Sequence, residues 1–284
     1  MKTWLDCYPC FLRQALSAAR RTGASEKKQR QILLLTMQEL QHIPEGATPP
    51  EMAWQVHRIV REQTQTGDPF HGAKQQATDE ALRLYPHLKQ LVKTAKDPLE
   101  MAVRIAIAGN IIDLGAADSY DLQSNLDRAL AQDFAINNLL ALKHEIESVS
   151  SILYLADNAG ETVFDRVLIE TLKKPVTYVV KAGPIINDAT REDAVAAGLE
   201  PVADIIDNGS QAPGTLFSQC SADFRQLFEQ AELIIAKGQG HYESLSDVPG
   251  PIFFLLKAKC GVIARNLDIA EGDIVVKQAN AGSR

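Results

Sequence analysis

Five short runs of Ile, Val and Leu recur after residue 150, at 152–156, 177–180, 202–206, 233–236 and 252–256. Each is followed by a polar loop and then a stretch long enough for a helix. Strands that alternate with crossover helices form a parallel sheet, and runs apolar at every position rather than every second one belong to strands covered on both faces. The pattern therefore predicts an α/β layer of five parallel strands with helices on both sides. Ile274, Val275 and Val276 read as an added antiparallel edge strand.

From Cys7 to about Ser148 the period is different. Apolar residues recur at three and four, with Leu12, Leu16 and Ala19 as one stripe and Ala77, Ala81, Leu84, Leu88 and Leu91 as another. Thr48-Pro49-Pro50 and Asp97-Pro98 resemble helix starts, and Gly23, Gly46 and Gly67 mark ends. About six helices are expected. A chain of 284 residues exceeds one ordinary core, so the reading divides it into a helical domain, 1–147, and an α/β domain, 148–284.

Charge narrows the function. The net charge is -7, and residues 148–284 carry 12 basic against 18 acidic side chains. Binding to a phosphate backbone needs clustered Lys and Arg, so nucleic acid is not an expected partner. No apolar run approaches the roughly 18 residues of a membrane span, and residues 1–10 lack an apolar signal core. A cytoplasmic protein without membrane contacts is expected. An acidic half that handles a phosphorylated small molecule needs a divalent cation to offset its carboxylates.

In open parallel sheets the ligand crevice lies beyond the carboxyl ends of the strands, so the loops there carry the chemistry. The first is Asp157-Asn158-Ala159-Gly160-Glu161 and the second runs from Lys181 to Asn187-Asp188. The third is Asp207-Asn208-Gly209-Ser210, the fourth Lys237-Gly238-Gln239-Gly240-His241, and the fifth Lys257-Ala258-Lys259-Cys260. Asp157, Asn158 and Asp188 supply two carboxylates and an amide oxygen, a set suited to Mg, Mn or a similar hard to borderline cation. Single Asp residues also cap helices; two after neighbouring strands favour the metal.

A helix expected from Gly160 to Lys174 would aim free amides at the crevice, where Ala159-Gly160 lets a phosphate approach. Lys237 would neutralise further phosphate charge, and His241 in the same loop is a candidate acid for a leaving group. Gly238-Gln239-Gly240 lacks the third glycine of a dinucleotide fingerprint. Ala159 occupies the position where a haloacid-dehalogenase-like site needs a second Asp. In the helical half, Asn110 and Asp113 lie among isoleucines and either orient loops or reach over the sheet edge to substrate. Cys7 and Cys10 form a C-x-x-C pair at a helix start, open to redox or accessory metal chemistry as well as to a plain structural role; Cys220 and Cys260 stand alone, so a four-thiolate zinc site is not expected. Trp4 and Trp54 read as packing residues.

These motifs together resemble the metal-dependent damage-control phosphatases, known as domain of unknown function 89. The resemblance runs through Asp6-Cys7-Tyr8-Pro9-Cys10, Ala108-Gly109-Asn110-Ile111-Ile112-Asp113, Asp157-Asn158-Ala159-Gly160-Glu161 and the stretch from Ile185 to Thr190. It continues in Asp207-Asn208-Gly209-Ser210, Lys237-Gly238-Gln239-Gly240 and the stretch from Leu255 to Cys260. The Cys pair looks like the prokaryotic branch. The resemblance implies a helical N-terminal domain followed by a Rossmann-like, mostly parallel sheet, and a divalent metal (Mn, Mg, Co or Ni) at Asp157, Asn158 and Asp188. It also implies hydrolysis of phosphate esters of sugars or damaged metabolites. His241 departs from the Asn expected in that loop.

The reading is thus a metal-dependent phosphatase of small phosphomonoesters. Asp157, Asp188 and Lys237 are its catalytic candidates; Asn110, Asp113, Gly160, Glu161, Asn187, Lys237 and His241 are its candidate substrate contacts. A non-catalytic sensor of phosphorylated metabolites or metals is the alternative. A carboxyl methyltransferase, an activity proposed within the wider family, is a minor one, since no loop resembles an adenosylmethionine site. Oligomeric state is not readable.

Overall fold

The computed structural model describes residues 1–109 and 126–279. Five helices come first: α1 (Cys7–Arg21), α2 (Glu26–Leu40), α3 (Pro49–Thr64), α4 (His71–Thr94) and α5 (Pro98–Ala108). Local chemistry sets their starts. Thr48 accepts from the Glu51 N–H while Glu51 accepts from the Thr48 N–H at 2.6 Å, a reciprocal cap with proline at the first helical position. Asp97 and Ser25 cap α5 and α2 one way only, each side chain accepting from the N–H of the third helical residue, Glu100 and Lys28. The buried face of α1 is Phe11, Ala15, Ala18 and Ala19, turned by one residue from the expected stripe, so that Leu12 and Leu16 are only half-buried.

The sheet follows. Its strands are β1 (Phe134–Asn137), β2 (Ile152–Leu155), β3 (Val176–Val180), β4 (Asp204–Asp207), β5 (Ile234–Lys237), β6 (Ile252–Lys257) and β7 (Ile274–Gln278). Between them lie α6 (Leu139–Ser148), α7 (Thr162–Leu172), α8 (Arg191–Ala196), α9 (Ala222–Gln230), α10 (Gly238–Leu245) and α11 (Gly261–Leu267). The order is β1-β7-β6-β5-β2-β3-β4, parallel at every pairing except β6 with β7. The α/β class with a mostly parallel sheet is as the sequence indicates, and β7 is antiparallel as expected. It is not the edge, however: β1 pairs along its outer side. Four residues, Phe-Ala-Ile-Asn, beside helical periodicity are too short a run to stand out as a strand.

Each face of the sheet carries its own apolar cluster. Along β2, Ile152 and Tyr154 point to one face and Leu153 and Leu155 to the other. On the first face lie α4, α5, α6 and α7; on the second lie α1, α2 and α3 together with α9, α10 and α11. The helical segment therefore wraps both faces, and packing crosses the 147/148 division on each. No helix among the described residues is long and apolar enough to cross a membrane.

Candidate active site

The strands β2 and β3 are central, buried neighbours, and their carboxyl ends place two loops side by side. The loops zip together like a short antiparallel pair: the Ala189 N–H donates to Asp157 O and the Ala159 N–H to Asn187 O, both at 2.8 Å. This brings Asp157, Asn158 and Asp188 to one cavity of about 640 Å3, which Asn187, Lys259 and Gln239 also line. The size suits a small metabolite.

Burial, then the charge of Glu161, pushes the Asp157 carboxyl well above the usual carboxylate range, while Lys259 and Lys237 pull it back and Asp188 adds to the rise. Burial likewise moves Asp188 up to about 6, opposed mainly by Lys181, whose Nζ lies 3.6 Å from Asp188 Oδ2 and also donates to Gly214 O. Burial is thus the main cause of both shifts, with the lysines only partly offsetting it. Among the described residues no group of three or more His, Cys, Asp and Glu side chains is arranged to hold a metal. Two carboxylates with one amide make a smaller donor set, and its all-oxygen chemistry fits a hard divalent ion that takes further ligands from water and substrate. The Nδ2 of Asn158 donates to Asp157 Oδ2 at 3.1 Å and Glu161 Oε1 at 2.6 Å, which leaves Oδ1 as its donor to a cation.

Beneath the crevice lies a second polar layer. Lys237 is fully buried; its Nζ donates to Glu161 Oε2 at 3.0 Å and Asp165 Oδ1 at 2.8 Å. Burial works against its charge, but the two carboxylates prevail and hold it protonated. The hydroxyls of Tyr154 and Tyr178 donate to the two oxygens of Asp165, with their rings stacked 5.4 Å apart. Lys237 thus sits in the floor, not in the open crevice where the sequence reading put a phosphate contact.

Glu161 and Gly160 are also buried, in a single 3-10 turn, Ala159–Glu161, that precedes α7. His241 is 3% exposed, with Nδ1 against Thr215 Oγ1 at 3.1 Å and Nε2 against Ala156 O at 2.9 Å. Burial, then the charge of Lys181, lowers it to about 3. Both ring nitrogens are engaged inside the protein, which turns His241 toward the core and away from a leaving group. Asn110 and Asp113 lie outside the described residues.

Several contributors escape the sequence reading. Gly238 has φ +77, and a Cβ there would overlap the Asp157 carboxylate, so this glycine is what lets the acid approach the start of α10. Ile186, two residues before Asp188, has φ +46, an uncommon conformation for a β-branched residue. Arg61 of α3 donates to Pro184 O at 2.9 Å and ties down the same loop. Cys7, Cys10 and Cys260 line the crevice together.

The model of the damage-control phosphatase ARMT1-like domain matches residues 3–275. The chain belongs to this damage-control phosphatase family. It is 33% identical to a damage-control phosphatase of Pyrococcus horikoshii, with 97% of each chain covered. It is 37% identical to a damage-control phosphatase of Archaeoglobus fulgidus over 80% of this chain and 81% of the relative. An uncharacterised protein of Methanocaldococcus jannaschii is 36% identical over 95% of this chain and 93% of its own length. The crystal structure of a domain of unknown function 89 protein from Pyrococcus horikoshii superposes with a TM-score of 0.91 at 32% identity, covering 99% of this chain and all of that one. The family match and the superposition cover both the helical segment and the sheet.

Proposed function

We propose that the protein is a metal-dependent phosphatase acting on small phosphomonoesters, sugar phosphates or damaged phosphorylated metabolites, with Mn, Mg, Co or Ni as the divalent ion. The observation that carries this reading is the zipped pair of loops, which sets Asp157, Asn158 and Asp188 on one wall of a cavity of metabolite size. Those three residues would hold the ion, which supplies Lewis-acid polarisation of a phosphoryl oxygen. Lys259 lines the cavity and supplies positive charge that lowers both carboxyls, and Asn187 borders the same space. Lys237 acts from below by holding Glu161, which in turn fixes the Asn158 amide. The family supports the phosphatase role, as do the relatives that carry that name.

The test is turnover with defined metals. Protein stripped by a chelator should release no phosphate from an aryl phosphate or a panel of sugar phosphates until Mn, Mg, Co or Ni is restored. Asp157→Ala and Asp188→Ala should each abolish the restored activity in a folded chain. Full turnover by both variants would overturn the assignment of the site, and ligand-induced stabilisation without phosphate release would favour a sensor.

A further inference from the structure

The C-x-x-C pair is the motif that phosphate chemistry leaves unexplained. Cys7 opens α1 and Cys10 lies one turn on, and both border the crevice that holds Asp157 and Asp188. Neither is in a disulfide. Cys260, at the start of α11, borders the same crevice, so the three sulfurs share one neighbourhood. Amides attend two of them: Gln14 Nε2 donates to Cys10 Sγ at 3.4 Å and Gln239 Nε2 to Cys260 Sγ at 3.6 Å. A cavity of this size admits a small solute to the thiols.

We propose that Cys7 and Cys10 are a thiol–disulfide pair in the crevice wall, oxidised by low-molecular-weight disulfides and coupled to occupancy of the crevice. Cys10 is half-buried and Cys7 is 9% exposed, so the roles divide by access. Burial also raises the Cys7 thiol, which makes it the slower attacker. Cys10 loses its proton and attacks one sulfur of the small disulfide; a mixed disulfide forms and one small thiolate leaves with the electron pair of the broken bond. Cys7 then attacks the Cys10 sulfur and expels the second small thiolate. Two protein thiols become one disulfide and the small disulfide becomes two thiols. During the first step the added group lies in the crevice beside the proposed metal ligands, and the second step clears it.

The thiol chemistry is read apart from the phosphatase assignment. Wild-type protein is incubated with excess oxidised glutathione, quenched with acid, and examined by intact mass, free-thiol titration and peptide mapping. The expected result is loss of two thiols, a mass lower by two hydrogens and a Cys7–Cys10 linkage. Cys7→Ser should instead accumulate one glutathionyl group on Cys10, and Cys10→Ser should react many-fold more slowly. Oxidised wild type should release phosphate several-fold more slowly than reduced, with recovery on reduction, and Cys7→Ser/Cys10→Ser should show no such ratio. Four intact thiols after exposure, or modification of Cys220 or Cys260 as fast as Cys10, would overturn the proposal, and the wild-type measurement alone suffices if a variant does not fold. A disulfide that forms without changing turnover overturns only the coupling, while absence of phosphatase activity in every metal leaves the mass and thiol results standing.

Discussion

The floor and the wall of the crevice both hold buried acids near lysines, but the floor acids are enclosed by protein whereas the wall acids line the cavity. In the floor, the single ammonium of Lys237 donates to two carboxylates, Glu161 and Asp165, and Asp165 also accepts from two tyrosine hydroxyls, although burial still raises its carboxyl. On the wall, burial drives Asp157 and Asp188 toward their neutral forms, with the charge of Glu161 adding to the effect on Asp157 and Lys181 opposing it on Asp188, and both acids line the cavity. A buried network whose oxygens are spent on internal donors serves structure; acids held by fixed backbone at the edge of an open cavity are placed for use by a ligand. The difference separates residues that maintain the site from residues that use it.

The contrast is broken most directly at Asp157. Asp157→Asn should lower metal-activated turnover by more than about 100-fold, beyond the usual effect of losing a group that merely orients a ligand. Its metal-free melting temperature should hold or rise, because a disfavoured charge is removed. Lys237→Met should behave in the opposite sense. It leaves Glu161 and Asp165 buried without their cation and should cost about 3–5 kcal/mol in denaturant unfolding. If Asp157→Asn unfolds the protein while Lys237→Met does not, floor and wall have been assigned the wrong way round.

Gly238 sits where the two layers meet. Gly238→Ala introduces backbone strain of about 1–3 kcal/mol at φ +77 and displaces the Asp157 carboxylate. Metal affinity, read by calorimetry with Mn, should therefore fall more than stability does; a variant that loses stability but binds Mn normally would show that the acid has room to move.

How much of this was legible in the sequence depended on whether the signal was local. The strands β2, β3, β5 and β6 declare themselves through continuous apolar runs, and the strand-end rule leads straight to Asp157 and Asp188. The starts of α3 and α5 are equally local, since the cap and its proline are adjacent. What stayed hidden is depth. Lys237 ends a strand just as Lys181 does, yet nothing in Lys-Gly-Gln-Gly says that its ammonium is to be enclosed by acids 72 and 76 residues away. His241 looks like a crevice residue for the same reason, and only the carbonyl of Ala156 and the hydroxyl of Thr215 reveal that it faces inward. The edge strand β1 stays hidden because a four-residue run beside helical periodicity carries too little signal, and its pairing with β7 joins segments some 140 residues apart.

The inward setting of His241 has a pH consequence. Its folded state resists protonation down to about 3, whereas an unfolded histidine takes its proton near 6.5. Below about 6.5 the unfolded chain binds the extra proton, so this residue's contribution, fully present above that pH, is lost as pH falls toward 3. The slope is about 1.4 kcal/mol per pH unit. His241→Asn keeps a side chain able to donate and accept but does not titrate, so the stability difference between wild type and variant should shrink from pH 7 to pH 5. His57, lowered to about 4 by burial, gives a slope of the same sign and cancels in that difference. A difference that stays constant with pH would place His241 in water.

The smallest expected effect lies at the second loop, where Asp188 is held indirectly. Ile186 is kept at positive φ, and the Asp188 N–H closes a turn onto Ile185 O at 3.0 Å, a shape that a free loop would relax. The guanidinium of Arg61 reaches from α3 to the Pro184 carbonyl, while Lys74 of α4, paired with Asp68 and Asp193, secures the far side where Asp193 closes the cap of α8. Two helices of the N-terminal segment thereby set the position of a proposed metal ligand on the sheet. Arg61→Ala removes a charge-assisted hydrogen bond and should weaken Mn binding by about 10-fold, the lower end of what outer groups contribute. Arg61→Lys, which keeps a donor, should recover part of that loss, a response that a packing defect alone would not give. If Arg61→Ala lowers the melting temperature but leaves Mn affinity unchanged, the loop is fixed by Lys181 and the zipped backbone, and the helices support the sheet without tuning its site.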